Sequence, residues 1–268
     1  MIDALRAFVD AHPRLFVLTG AGCSTASGIP DYRDAAGAWK SRPPVSFAEF
    51  TGSAASRRRY WARSLVGWRR VAAARPSLAH LALARLEHAG RIAVVTTQNV
   101  DGLHQKAGSR RVVDLHGRLD EVECLECGAV VSRHDVQALL EAWNPEHAAR
   151  DAPAAPDGDA RLAADPEGLT VPDCPACGGA LKPRVVFFGE GVPRGRVEAA
   201  LAGLDGCDAV LVVGSSLMVY SGYRFCLAAA ERGLPIAALN LGRTRADALL
   251  ALKVEAECGA ALQALAPR

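Results

Sequence analysis

The sequence predicts an α/β protein with a doubly wound, Rossmann-like parallel sheet, and three observations carry that prediction. Runs that are apolar on both faces recur at residues 15–19, 92–96, 112–115, 185–188, 209–213 and 236–241, as strands covered on both sides require. Helical patterns lie between them, among them residues 78–89, 196–204 and 222–232, the alternation that specifies parallel pairing. The first run ends in Gly20-Ala21-Gly22 and a Ser/Thr-rich segment. Small residues there let backbone approach a pyrophosphate, and free N–H groups at a helix start would face the anion.

Taken in order, residues 1–12 carry apolar positions at helical spacing with two aspartates, unlike a secretory signal or an acid-poor transit peptide. No run approaches the roughly 20 apolar residues that span a bilayer, so a cytoplasmic protein with no membrane contact is expected. The 268 residues, 50% hydrophobic, suit one large domain with a smaller insertion. A net charge of +2 is too weak to argue for nucleic acid.

Gly20-Ala21-Gly22 alone also reads as a tight strand-to-helix turn. Thr25 stands where a dehydrogenase fingerprint has its third glycine, and no acidic residue follows about 20 positions on. A dinucleotide is expected; hydride transfer is not. Further apolar runs end in polar side chains: Gln98, Asn99 and Asp101 after the second, His116 after the third, Gly214-Ser215-Ser216 after the fifth and Asn240 in the sixth. Strand ends in an open α/β sheet meet at one crevice, although Asn99 or His116 singly reads as a turn former or a satisfied imidazole.

Between Gly117 and Pro183 the pattern breaks. Cys124-Leu-Glu-Cys127-Gly128 and Cys174-Pro-Ala-Cys177-Gly178 are paired knuckles, and four thiolates suit a tetrahedral, structural Zn²⁺ with no open position. The pairs are farther apart than the roughly 15–20 residues of a zinc ribbon, so disulfides or a redox dithiol remain rival readings. Residues 144–172, rich in Ala, Pro, Asp and Gly, read as a long loop, either functional or a solvated linker. The expected division is residues 1–117 and 185–268 for the nucleotide-binding domain and 118–184 for the zinc module.

Gly20-Ala-Gly-Cys-Ser24, Ser27-Gly-Ile-Pro-Asp-Tyr-Arg33, Thr97-Gln-Asn-Val-Asp101, Leu115-His-Gly117, Val185-Val-Phe-Phe-Gly-Glu190 and Val213-Gly-Ser-Ser-Leu217 resemble, in order, the motifs of the sirtuins. Arg59-Tyr-Trp-Ala-Arg63, Val66-Gly-Trp68, Ala155-Pro-Asp-Gly-Asp159 and Tyr220-Ser-Gly-Tyr-Arg-Phe225 are similar to the class II branch. The resemblance implies an NAD-dependent protein lysine deacylase that consumes NAD, moves an acyl group from lysine to ADP-ribose and releases nicotinamide. Protein mono-ADP-ribosylation is the alternative. The resemblance implies a Cys₄ zinc site at Cys124, Cys127, Cys174 and Cys177, and a loop over residues 144–172 that reaches back toward the active site.

The resemblance also implies His116 as the base, with Asn99 and Asp101 in a nicotinamide pocket and Gln98 beside the ribose. Gly20, Ala21, Gly22 and Ser24 would hold the cofactor, the glycines at its pyrophosphate, and Tyr32 and Arg33 would close over its reactive carbon. Gly214, Ser215, Ser216, Asn240 and Cys258 would hold its adenosine half. Phe188, Gly189, Glu190 and Val219 would take an acyl-lysine peptide as an added strand. Tyr60 and Arg63, at i and i+3, are expected to share one helix face and to meet an acyl chain that ends in a carboxylate; they also read as a core aromatic beside a solvated basic face.

Overall fold

The computed structural model describes residues 1–40, 44–162 and 168–265. Its strands are β1 (Leu15–Thr19), β2 (Ile92–Thr97), β3 (Val112–Asp114), β4 (Gly117–Cys124), β5 (Val130–Ser132), β6 (Leu181–Val185), β7 (Ala209–Val213), β8 (Ile236–Leu239) and β9 (Leu252–Val254). Six form a sheet in the order β3-β2-β1-β7-β8-β9, parallel throughout. Every residue of β1 is buried, and its alternate side chains enter separate cores, as the period of 2 demands. Leu15 and Val17 pack with the helices Ile2–Ala11, Leu78–His88 and Cys258–Gln263. Phe16 and Leu18 pack with Arg194–Leu204 and Tyr220–Glu231. Strand order reverses between β1 and β7, so the loops after them open the crevice where such sheets bind ligands.

β4, β5 and β6 form a second, antiparallel sheet in the order β5-β4-β6. The long helix Ala54–Ala73 joins it to the rest of the chain. Trp61 donates its indole N–H to the Leu181 carbonyl at 3.2 Å. The buried Arg133 guanidinium lies 5.3 Å from the Trp61 ring and 5.0 Å from the Trp68 ring and donates to Ser64 Oγ at 3.2 Å. Two indole rings this near offset part of the hydration that the buried cation loses.

Three expectations change. Residues 185–188 are not a strand of the parallel sheet. Leu181–Val185 pairs antiparallel with β4 instead, and 186–188 continue as extended chain, with Val186 N–H on the His116 carbonyl at 2.8 Å and Phe47 N–H on the Phe188 carbonyl at 2.9 Å. The sixth parallel place goes to β9, whose three residues are too short to show a period. The Ser/Thr-rich segment after Gly20 starts no α-helix. It makes two single 3₁₀ turns, Ala21–Cys23 and Thr25–Ser27, ended by Gly28 at φ 82°, so no helix dipole faces the crevice.

The segment 144–172 is closed at its base by Asn144, which donates to the Thr170 carbonyl and accepts from Thr170 N–H, at 2.8 and 2.7 Å; residues 163–167 lie outside the described residues. It contains a helical turn, Pro145–Ala148, and a 3₁₀ turn, Pro156–Gly158. That second turn crosses the Ala54–Ala73 helix at Gly67, where an added Cβ would stand 2.2 Å from the Gly158 carbonyl oxygen. Glycine inside a helix costs about 1 kcal/mol relative to alanine, and here it makes room for the crossing.

Candidate active site

A cleft of about 650 Å³ opens at the strand-order reversal. Its floor is two loops held back to back: Gly20 N–H reaches the Val213 carbonyl at 3.1 Å and Gly22 N–H the Gly214 carbonyl at 2.8 Å. A Cβ on Gly20 would meet Ser215 Cβ at 2.7 Å, and one on Gly22 would meet Gly214 Cα at 2.9 Å. Close backbone approach, rather than a helix start, is what the two glycines provide.

The β2 loop sends three side chains to this floor. Asn99 donates to the Gly20 carbonyl at 3.0 Å and to Ser24 Oγ at 2.9 Å, and the Ser24 hydroxyl donates to Asp101 at 2.7 Å. The second Asp101 oxygen accepts Leu103 N–H at 2.9 Å. A small side pocket is lined by Ala21, Ser24, Ile29, Pro30, Asn99 and Asp101 together with Val71, Leu119 and Gly158. Gln98 accepts from Ser215 Oγ at 2.6 Å, and a Cβ on Gly222 would press its carboxamide at 2.7 Å.

His116 lines the cleft. Its Nδ1 lies 2.9 Å from the Gln98 carbonyl oxygen, which can only accept, so Nδ1 carries the proton. Nε2 therefore offers a lone pair and receives the Ser221 hydroxyl at 2.8 Å. Burial pushes the imidazole down to about 4, the Gln98 carbonyl opposes that shift, and the Arg196 and Arg224 cations add to it. The ring is neutral at pH 7, with the lone pair of Nε2 unprotonated.

Of the residues expected to bind cofactor or substrate, Gly20, Ala21, Gly22, Tyr32, Arg33, Gln98, Asn99, Gly214, Ser215, Ser216, Asn240, Phe188, Gly189, Glu190, Val219 and Tyr60 all line the cleft. Tyr32, Trp39 and Phe188 meet edge to face at 5.5–6.0 Å, and the Arg33 guanidinium sits 4.1 Å from the Trp39 ring centroid. Ser24 and Asp101 belong to the side pocket. Glu190 spends its carboxylate on Phe187 N–H at 2.8 Å and on Lys182 at 3.2 Å, so it pins the turn it sits on.

Two of the expected residues stand off the cleft lining. Cys258 lies outside the cleft lining; its buried thiol points to the Leu239 carbonyl at 3.8 Å. Arg63 is also absent from the wall, because its Nε is bound by Asp159 Oδ2 at 3.1 Å. Asp159 and Pro156, from the loop that crosses Gly67, line the cleft beside Tyr60, so the long loop does reach it. Burial raises the Asp159 carboxyl to about 6 against the pull of Arg63. Neither pairing, Ser221 with His116 or Asp159 with Arg63, was read from the sequence. Asp159 lay in a segment already expected to reach the site; Ser221 stood beside Val219 on an expected peptide-binding edge, with nothing local to link it to His116.

In the second sheet, Cys124 Sγ is 3.5 Å from Cys177 Sγ and Cys127 Sγ is 3.8 Å from Cys174 Sγ, with all four within 4.8 Å of one another. Disulfide sulfurs stand about 2.05 Å apart. Sulfurs on tetrahedral zinc, at Zn–S of about 2.3 Å, stand about 3.8 Å apart. All eight cysteines are free thiols, and the four fit a closed structural zinc site. Among the described residues no helix is long and apolar enough to cross a membrane.

The Sir2 family model matches residues 20–221. An NAD-dependent protein deacetylase of Bordetella bronchiseptica is 62% identical over 258 residues, 96% of this chain and 94% of its own length. The NAD-dependent protein deacylase Sirt4 of Drosophila melanogaster is 47% identical over 264 residues, 96% of this chain and 84% of its own. A solved structure of Sir2 with a p53 peptide and NAD⁺ matches with a TM-score of 0.77 at 29% identity, covering 99% of this chain and 97% of the other.

Proposed function

Because the chain belongs to the Sir2 family, we propose that it is an NAD-dependent protein lysine deacylase, transferring the acyl group of a modified lysine to ADP-ribose with release of nicotinamide. The observation that carries this reading is the state of His116: a neutral imidazole whose tautomer is fixed by the Gln98 carbonyl and whose bare Nε2 lies at the cleft. NAD, as co-substrate, supplies the ribose carbon that becomes electrophilic as nicotinamide leaves. His116 Nε2 takes the proton of a ribose hydroxyl, after Ser221 has turned its own hydroxyl away.

Asn99 and Asp101 work through Ser24 to keep the side pocket in shape for the nicotinamide carboxamide, and Gln98 is placed for the ribose. Gly20, Ala21 and Gly22 let the backbone near the pyrophosphate, and Gly214, Ser215, Ser216 and Asn240 border the adenosine half. Tyr32 and Arg33, locked against Trp39 and Phe188, cover the reacting carbon and exclude water. Phe188, Gly189 and Val219 flank an extended acyl-lysine peptide, and Tyr60 lines the acyl end. Deacylase names among the relatives favour this reading over protein mono-ADP-ribosylation.

The zinc module at 118–184 is read as a scaffold. Four reduced thiols suit a reducing compartment, which supports a cytoplasmic location. The test is mass spectrometry of an acyl-lysine peptide incubated with NAD: unmodified lysine and O-acyl-ADP-ribose in equal amounts are expected. ADP-ribose retained on protein, with the acyl group intact, would replace this reading with the transferase.

A further inference from the structure

Beneath the Ser24–Asp101 network lies a second cluster of metal-binding groups. Cys23, His80 and His104 are all buried, at 1%, 0% and 1% exposure, and each brings one ligand atom to within 4.8 Å of the others. The two imidazoles stand 4.7 Å apart, edge to face. Three elements supply them: the turn after β1, the helix Leu78–His88 and the short helix Leu103–Lys106.

Proton bookkeeping shows that one nitrogen is bare. Thr19 Oγ1 donates to Thr97 Oγ1 at 2.8 Å, so at its 2.9 Å contact with His104 Nε2 it accepts. His104 then carries its proton on Nε2, and Nδ1 keeps a lone pair that finds no partner although it is sealed from solvent. His80 Nδ1 accepts the Ser77 backbone N–H at 3.2 Å, so that ring carries its proton on Nε2, 3.5 Å from Ser24 Oγ. His104 thus has the arrangement of a metal-binding histidine, one N–H held by an outer oxygen and the other nitrogen free. His80 gains it when its proton moves to Nδ1, where Ser77 Oγ, 2.8 Å away, can accept it.

We propose that Cys23 Sγ, His80 Nε2 and His104 Nδ1 bind one thiophilic divalent cation, of which Zn²⁺ is the representative, at a site separate from the four-cysteine centre. Binding replaces the Cys23 thiol proton with the metal–sulfur bond and releases that proton to solvent. Zinc–sulfur and zinc–nitrogen lengths of about 2.3 and 2.0 Å place such ligands about 3.5 Å apart, so the side chains draw inward from their present spread. The ion would tie three elements together under Asn99, Ser24 and Asp101.

Zinc content by mass spectrometry after incubation with Zn²⁺ and desalting tests the proposal. Two ions per chain are expected for the unaltered protein and for Cys226→Ala, a control at a buried thiol elsewhere. One ion is expected for Cys23→Ala. Added zinc should raise Tm in the unaltered protein beyond its effect on Cys23→Ala, as binding to the folded state alone requires. A single ion in the unaltered protein at saturating zinc, or two in Cys23→Ala, overturns the proposal. The unaltered protein's content decides the matter even where Cys23→Ala fails to fold.

Discussion

Ser221 Oγ lies 2.8 Å from Nε2 of His116 and donates to the one nitrogen that the Gln98 carbonyl leaves bare. That hydroxyl favours the neutral ring, so Ser221→Ala should let the ring protonate more easily. A hydrogen bond is worth about 1 kcal/mol net, so the acidic limb of kcat/KM should move to higher pH by as much as about one unit. A pH–rate profile of the variant checks this; an unmoved limb would show that Ser221 does not bear on the base.

Protein stability should decline as pH falls from 6.5 towards 4. Burial lowers His116 to about 4; it also lowers His80 to about 4, against the partial pull of Asp101, and lowers His104, with His80 adding to the effect. An unfolded histidine protonates near 6.5, so the stability these neutral rings contribute is whole above 6.5 and lost towards 4. For His116 the loss reaches roughly 3 kcal/mol. Asp159 works the other way, since its raised carboxyl, about 6 when folded, favours the folded state as pH drops through that value. Asp114, which burial also raises, acts in the same direction, and the two carboxyls offset only part of three imidazoles. Urea unfolding at pH 7.5 and 5 measures the balance, and equal midpoints would contradict it.

Arg63→Ala should act on the loop rather than on acyl charge. It strands the Asp159 carboxylate, whose side chain is 19% exposed, and removing one partner of such a pair costs about 3 kcal/mol. Thermal unfolding should show the loss, while the kcat/KM ratio of glutaryl- to acetyl-lysine peptides stays the same. A ratio that collapses with unchanged Tm would return Arg63 to the acyl pocket.

Gly67→Ala, a change that raises helix propensity by about 1 kcal/mol, should here destabilise, because its methyl would meet the Gly158 carbonyl at 2.2 Å. Displacing that turn also shifts Pro156 and Asp159 at the cleft wall, so KM for the acyl peptide should rise. A variant as stable as the parent would mean that the crossing is looser than drawn.

Chelation should remove the zinc held by Cys124, Cys127, Cys174 and Cys177 and melt the β4–β6 sheet first. Hydrogen exchange would locate the loss in residues 117–185. Uniform exchange over the whole chain would contradict the scaffold role.

How much of this was legible beforehand depends on the reach of each signal. β1 and β7 are apolar on both faces and flanked by helices, so their burial was readable, as were Asn99, Asp101 and His116 at strand ends. Val185-Val-Phe-Phe188 has the same composition yet continues an edge of the small sheet, because pairing partners 57–68 residues apart are invisible to local pattern. β4 shows a partial alternation of buried and half-exposed residues that could have revealed it. The hold of Asp159 on Arg63 spans 96 positions, and Ser221 reaches His116 across 105; neither leaves a mark on its neighbours. Close packing of Gly20 on Ser215 explains a glycine that the sequence reads as an anion site or a tight turn.

The central claim is tested most directly by quantifying free nicotinamide and deacylated peptide together, with NAD and an acyl-lysine peptide, for the unaltered protein and for His116→Ala. Equal molar amounts from the unaltered protein are predicted, with deacylation falling about 10²- to 10⁴-fold in His116→Ala, the usual contribution of a general base. Deacylation by His116→Ala at the parent rate, or no acyl loss from any acyl-lysine peptide with the unaltered protein, would contradict it.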